Sequence, residues 1–355
     1  MRWSGAASTL RRPRRVPDPT YSLLLGAALV ISLIAYVLFG GADFGGGVWD
    51  LIATGPRKRE QRELIAEAIG PIWEANHVWL ILVVVILFSC FPPVFARLSV
   101  ALHIPLTLML VGIVLRGTAF TFRTYDSQDD TVQRRWGALF AVASLVTPIV
   151  QGMSAGALIA GALPARPTGS FADSYVRPWL SAYAVSIGLL VLVLYAFLAA
   201  VYLTVEAKDE GLREDFRTRA LLSGCTLFGT ALVALTLSRD AAPQIWTMLL
   251  RSGWALPLQA VTGLCAITAL GGLWWRRYRL AQAAAATQVA LILTGWAIAQ
   301  YPYAIPPDLE LVASSAPAVT QRLVLGALAA GVVVLVPSLV YLFRIFKRRP
   351  SAAQL

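Results

Sequence analysis

Apolar runs long enough to cross a bilayer recur along most of the chain, each closed by a short polar or basic segment. A helix rises about 1.5 Å per residue, so about 20 apolar residues cross the hydrocarbon core. Nine runs meet that length: 21–50, 72–91, 97–122, 136–162, 178–206, 218–238, 253–275, 280–301 and 319–344. The stretch from Ala241 to Ser252, with Trp246 and Leu250, is shorter and is expected to lie along the interface as a helix. No sharp internal repeat is visible. The pattern predicts an all-α polytopic membrane protein of about nine transmembrane helices, arranged as two four-helix bundles plus a peripheral helix. Residues 1–20 form a basic extension, 21–346 a single transmembrane domain, and 347–355 a C-terminal tail. The run from Tyr21 to Phe39 is long enough to span and no A-x-A-like site follows it, so a first transmembrane helix is expected rather than a cleaved signal peptide.

Composition agrees with this pattern. Of the 355 residues, 57% are hydrophobic and only 14% charged, against about a quarter charged in a soluble domain. The net charge of +11 does not imply nucleic acid, because the basic residues sit at the ends of apolar runs. They fall into groups at 57–62, 123–135, 208–219, 276–279 and 344–349, with 18 Lys and Arg on that side and 6 on the other. The positive-inside rule places the richer side in the cytoplasm. The N-terminus is therefore expected outside and the C-terminus in the cytoplasm. Arg2, Arg11, Arg12, Arg14 and Arg15 run against this assignment, giving 11 against 18; four loops and the C-terminal tail support it.

Cys90, Cys225 and Cys265 are widely spaced, form no metal or disulfide pattern, and are expected as small core residues. The only histidines are His77 and His103. If the turn between their helices lies near residue 93, the two differ by about 9 Å in depth. They are not expected to ligate one haem, and no metal site is expected. His103 reads as an ordinary buried histidine.

Charges within spans are costly, at least about 2.5–3.5 kcal/mol each, and usually face the bundle interior. Three stand out: Asp43 in the first span, Glu74 at the start of the second and Arg116 in the third. With the chain threaded as above, all three lie towards the cytoplasmic side. On the second span, Glu74 and His77 are three apart and Trp73 and His77 four apart, so they share a face with Asn76 nearby. A carboxylate, an imidazole and an amide in a dry setting can relay protons. The plainer alternative is structural: a Glu74–Arg116 salt bridge that fixes helix packing.

The run Gly40-Gly41-Ala42-Asp43-Phe44-Gly45-Gly46-Gly47 lacks the Gly-Lys-Ser/Thr ending of a phosphate loop. Its small residues predict close helix packing, with Asp43 held beside the neighbouring helices. Pro148 and Gln151 mark a kink with a polar lining, or a packing feature. Tyr301-Pro302-Tyr303, before Pro306-Pro307, suits an interfacial aromatic belt.

Gly41 to Gly47, the stretch Ala68-Ile69-Gly70-Pro71-Ile72-Trp73-Glu74-Ala75-Asn76-His77-Val78-Trp79, and Leu87 to Pro92 resemble subunit II of cytochrome bd-type quinol oxidases. Weaker similarity runs through Arg116 to Arg123, Arg217 to Ala220, Tyr301 to Tyr303 and Val336-Pro337. The resemblance implies a partner, subunit I, carrying haem b and haem d, with quinol as the membrane substrate. It also implies a chain that ligates no cofactor itself but stabilises that partner, and a proton path from the cytoplasm. A bound quinone or lipid and a small accessory transmembrane subunit fit the same picture. By motif, the polar positions are Asp43, Glu74, Asn76, His77 and Arg116, and the structural ones Trp73, Trp79, Gly45 and Gly47. The chain departs from the family pattern where many members have an acid (here Gly40), where some have Asp (here Thr121) and where some have Gln (here His77); in this it resembles the cyanide-insensitive branch. Two rivals remain: a secondary transporter using Asp43, Glu74 and Arg116, and a purely structural scaffold subunit.

Overall fold

The computed structural model describes residues 19–125, 130–167 and 169–347. Most of the basic extension and the C-terminal tail lie outside the described residues, as does the side chain of Glu74. The helices in chain order are α1 (Pro19–Leu51), α2 (Lys58–Cys90), α3 (Pro92–Ala101), α4 (His103–Tyr125), α5 (Asp130–Ile159), α6 (Phe171–Tyr175), α7 (Ala182–Glu206), α8 (Glu210–Ala241), α9 (Pro243–Arg251), α10 (Ala255–Trp274), α11 (Tyr278–Gln300) and α12 (Ala318–Lys347). Among the described residues eight helices are long and apolar enough to span, or nine when the two halves of α2, bent by 46°, are taken as one. A short antiparallel hairpin, β1 (Tyr303–Ile305) and β2 (Leu309–Glu310), caps one end.

Local chemistry sets the boundaries. The Ser181 hydroxyl accepts from the Ala184 amide to start α7, and the Asp209 carboxylate accepts from Leu212 to start α8. Pro92 stands at the first position of α3, where a missing N–H costs nothing. The continuous span expected over 97–122 is instead two helices. Pro105 has no N–H to bond the Ala101 carbonyl and its ring crowds that oxygen, so α3 ends at Ala101 and α4 begins at His103. Two other spans are longer than expected: α2 starts at Lys58 rather than 72, and α8 at Glu210 rather than 218. Both carry charged first turns that project the helix beyond its apolar stretch. The short interfacial helix expected over 241–252 is α9.

At the centre is α7, packed against α1, α5, α8 and α11. Its buried stretch from Leu194 to Leu203 joins Phe44, Ile65 and Phe216 in one core, while Leu25, Ile86, Phe91 and Met153 form a second towards the other end. Around it, α1 packs also on α2, α5 and α11, α4 packs on α5, and α10 packs on α11 and α8. Along the outside lies α12, which among the described residues packs mainly on α2 and α1. Of the cysteines only Cys90 is buried; Cys225 is exposed and Cys265 half-buried, so the expectation of core cysteines holds for one of three.

Candidate functional site

The glycine run of α1 allows four helices to meet. A Cβ on Gly45 would stand 2.0 Å from the Tyr195 carbonyl oxygen of α7, and one on Gly47 would stand 2.1 Å from the Ser144 hydroxyl of α5. Gly45 thus lets the α1 and α7 backbones touch, and Gly47 lets the Ser144 side chain rest on the α1 backbone. The next helix over is held similarly: a Cβ on Gly117 of α4 would meet the Trp73 ring of α2 at 2.8 Å.

This packing seals a charged pair. Asp43 is 0% exposed and Arg116 2%. The Arg116 Nη2 lies 2.6 Å from Asp43 Oδ1 and also donates to the Asp43 main-chain carbonyl at 2.6 Å. Its Nε donates to the Ser144 hydroxyl at 2.9 Å, which in turn donates to the Phe140 carbonyl at 2.7 Å. The guanidinium is held between the Phe44 and Phe140 rings, 4.8 Å from each centroid. The second oxygen of Asp43 accepts from Asn76 Nδ2 at 3.4 Å. One arginine therefore ties α1, α4 and α5, and Asn76 brings in α2. Removing either charge of such a pair costs about 3–5 kcal/mol, because the other is left uncompensated in a dry interior.

Of the expected positions, the structure brings Asp43, Asn76 and Arg116 together. His77 turns back on its own helix: its Nδ1 is 2.7 Å from the Trp73 carbonyl and its ring meets the Trp73 ring edge-on at 5.6 Å. Trp79 stacks on Phe39 of α1 at 6.5 Å. Among the described residues the carboxylate against Arg116 is that of Asp43; the Glu74–Arg116 pairing lies outside them. Thr121 donates within α4 to the Gly117 carbonyl. His103 opens α4, exposed and edge-on to Tyr175 at 5.0 Å, not in a buried setting as expected. His77 lies about 20 Å along α2 from Cys90, the end nearest α3. His103 follows on α4, with α3 between the two histidines.

Sequence reasoning missed several participants. Ser144 and Phe140, four apart on α5, face Arg116; that spacing was the available signal. Tyr195 donates to Gln151 Oε1 at 3.3 Å, giving Gln151 a role beyond packing. A Cβ on Gly40 would lie 3.4 Å from the Tyr195 hydroxyl and 3.5 Å from Asn76 Nδ2, so Gly40 marks a gap between those groups. Tyr36 Oη, Asn76 Oδ1, Trp73 Nε1 and Trp79 Nε1 are buried without a hydrogen-bond partner among the described residues. Asp50, at the end of α1, is also buried, 3.7 Å from Arg62.

A second charged network joins α2 to α8 at the arginine-rich end. Arg57 makes a two-point bond to Asp215 at 2.6 and 3.0 Å, which also accepts from Gln61 at 2.9 Å. Arg219 donates to Gln61 Oε1 at 2.8 Å and covers the Trp49 and Phe216 rings. The Asp215 carboxylate holds the Arg57 guanidinium above its already high range.

The model of the family described as cytochrome bd terminal oxidase subunit II matches residues 21–346. The chain belongs to that family. It is 26% identical over 238 residues to cytochrome bd ubiquinol oxidase subunit 2 of Bacillus subtilis, covering 67% of this chain and 68% of that one. With cytochrome bd-I ubiquinol oxidase subunit 2 of Escherichia coli K12 it shares 28% identity over 131 residues, 37% of this chain and 34% of that one. The bd oxidase of Geobacillus thermodenitrificans has the same fold, with a TM-score of 0.77 at 22% identity over 92% of this chain and 98% of that one. The family places the chain as a multi-pass bacterial inner-membrane protein, part of an oxidoreductase complex with a partner subunit I.

Proposed function

We propose that this chain is the subunit of a cytochrome bd quinol oxidase that ligates no haem, and that it supports oxygen reduction from within the membrane. Subunit I holds haem b, haem d and the catalytic centre, and oxidises quinol. This chain packs against it, with its N-terminus outside and its C-terminus and arginine-rich loops in the cytoplasm. Its own two histidines are committed to a main-chain carbonyl and a surface aromatic contact. A quinone or lipid and a small accessory subunit belong to the same reading.

The buried Asp43–Arg116 pair with Asn76 is the observation that carries the mechanism. Reduction of oxygen to water consumes protons, and a path to the reaction needs polar groups inside the bilayer. Asn76, Tyr195, Gln151 and Tyr36 extend the cluster, and the orphaned Asn76 Oδ1 and Tyr36 Oη suit bridging water. Glu74 on the same helix supplies a titratable group at the cytoplasmic entrance. In this role Arg116 and Asp43 anchor the cluster, Glu74 takes up and releases protons, and Asn76 orients the water that carries them.

Glu74→Gln tests this. Oxygen consumption per haem should fall by about tenfold or more, on the scale of lost acid–base assistance, with haem content unchanged. An unchanged rate with unchanged haem would rule out the proton path through Glu74. Failure to form a haem-containing complex would favour the scaffold role instead.

A further inference from the structure

A recess of about 430 Å³ opens where the α10–α11 turn meets the end of α7 and the start of α8. Arg213, Arg276, Arg277 and Arg279 line it, with Tyr278 and Thr204. The tendency of basic residues to collect on one face accounts for their side of the membrane. It does not account for four of them around one hollow.

Three further observations concern this hollow. Arg213 is paired with Glu210 at 2.8 Å and Arg276 approaches Glu214 at 3.5 Å, but Arg277 and Arg279 have no carboxylate within reach among the described residues. Arg213 Nε and Tyr278 Oη are buried with no hydrogen-bond partner. The turn itself is a Schellman closure, in which the Arg277 amide bonds the Gly272 carbonyl and the Arg276 amide bonds that of Leu273. Its left-handed residue, at φ 60°, is Arg276 rather than the usual glycine. A side chain there costs about 1–2 kcal/mol. Beside it Trp274 and Trp275 are 69% and 74% exposed, as aromatics are at headgroup level.

We propose that this recess binds the phosphate headgroup of an anionic phospholipid, with cardiolipin the best fit to its density of positive charge. Arg277 and Arg279 meet the phosphates, Arg213 and Tyr278 offer their free donors, and the two tryptophans flank the acyl chains. Basic pockets between helices are a recognised chemistry for such lipids. The site is separate from the Asp43 cluster and stands whether or not that cluster carries protons.

Native mass spectrometry of the detergent-solubilised complex, titrated with cardiolipin, tests the site. The complex carrying Arg277→Gln and Arg279→Gln should bind cardiolipin about 30-fold more weakly, two basic residues being worth about 1 kcal/mol each. Arg277→Lys with Arg279→Lys should bind within about threefold of the unaltered complex, which keeps the test open should the neutral pair fail to assemble. Lys58→Gln with Arg59→Gln, elsewhere on the same face, should leave binding unchanged. Phosphatidylcholine should bind all forms equally weakly, and inorganic phosphate at equal phosphate concentration should not displace cardiolipin. Full cardiolipin binding by the neutral pair, or an equal loss in the Lys58 and Arg59 control, would overturn the proposal. Displacement by inorganic phosphate would overturn the lipid assignment in favour of a soluble anion.

Discussion

Two networks in this protein use nearly the same groups: an arginine, an aspartate and an amide, with aromatic rings stacked on a guanidinium. One is Asp43, Arg116 and Asn76 within the bundle; the other is Arg57, Asp215, Gln61 and Arg219 at the arginine-rich end. Their bond lengths are alike, with a shortest approach of 2.6 Å in each. Exposure differs: 2% and 0% for the side chains of the inner pair, 41% and 23% for those of Arg57 and Asp215. Water screens the outer pair and can replace either partner. The inner pair has no such substitute, so nearly the same groups yield a required junction in one place and an adjustable clasp in the other.

The contrast can be broken by substitution. Arg116→Ala should have the largest effect, leaving Asp43 buried and unpaired at a cost of about 3–5 kcal/mol. That is a large part of the roughly 5–15 kcal/mol that holds a typical fold together, so the haem-containing complex should be lost or thermally unstable. Gly45→Ala comes next. Its Cβ would overlap the Tyr195 carbonyl, and forcing α1 from α7 should cost about 1–3 kcal/mol, visible as a lowered melting temperature of the complex. Arg59→Gln, which removes an ion pair 91% and 58% exposed, should leave the melting temperature unchanged within error.

The same contrast explains what was readable in the sequence. Spans were legible because membrane helices must be long and apolar, and that demand is local. Asp43 and Arg116 were legible as anomalies because charge is rare there. Their pairing was not, since which acid meets Arg116 depends on how α1, α2 and α4 cross. Nor was the break at Leu102, although Pro105 carried the signal. The outer network was missed because its charges looked like ordinary loop residues. Gln61 lies four after Arg57, and Arg219 four after Asp215, so each pair shares a helix face; that spacing shows only once α2 and α8 are known to extend beyond their apolar stretches. The arginines at the α10–α11 turn enter the sequence only as part of a charge count, because the shape of the recess depends on four segments.

The measurement that bears most directly on the account is the yield of haem-containing complex for two chemically identical changes, Asp43→Asn and Asp215→Asn. Each replaces one carboxylate of an arginine pair by an amide. Asp43→Asn should lower the yield by more than about tenfold, as expected when a buried charge loses its partner, and Asp215→Asn should stay within about twofold of the unaltered protein. Equal yields from the two variants would contradict the claim that burial, rather than pairing itself, makes the inner junction indispensable.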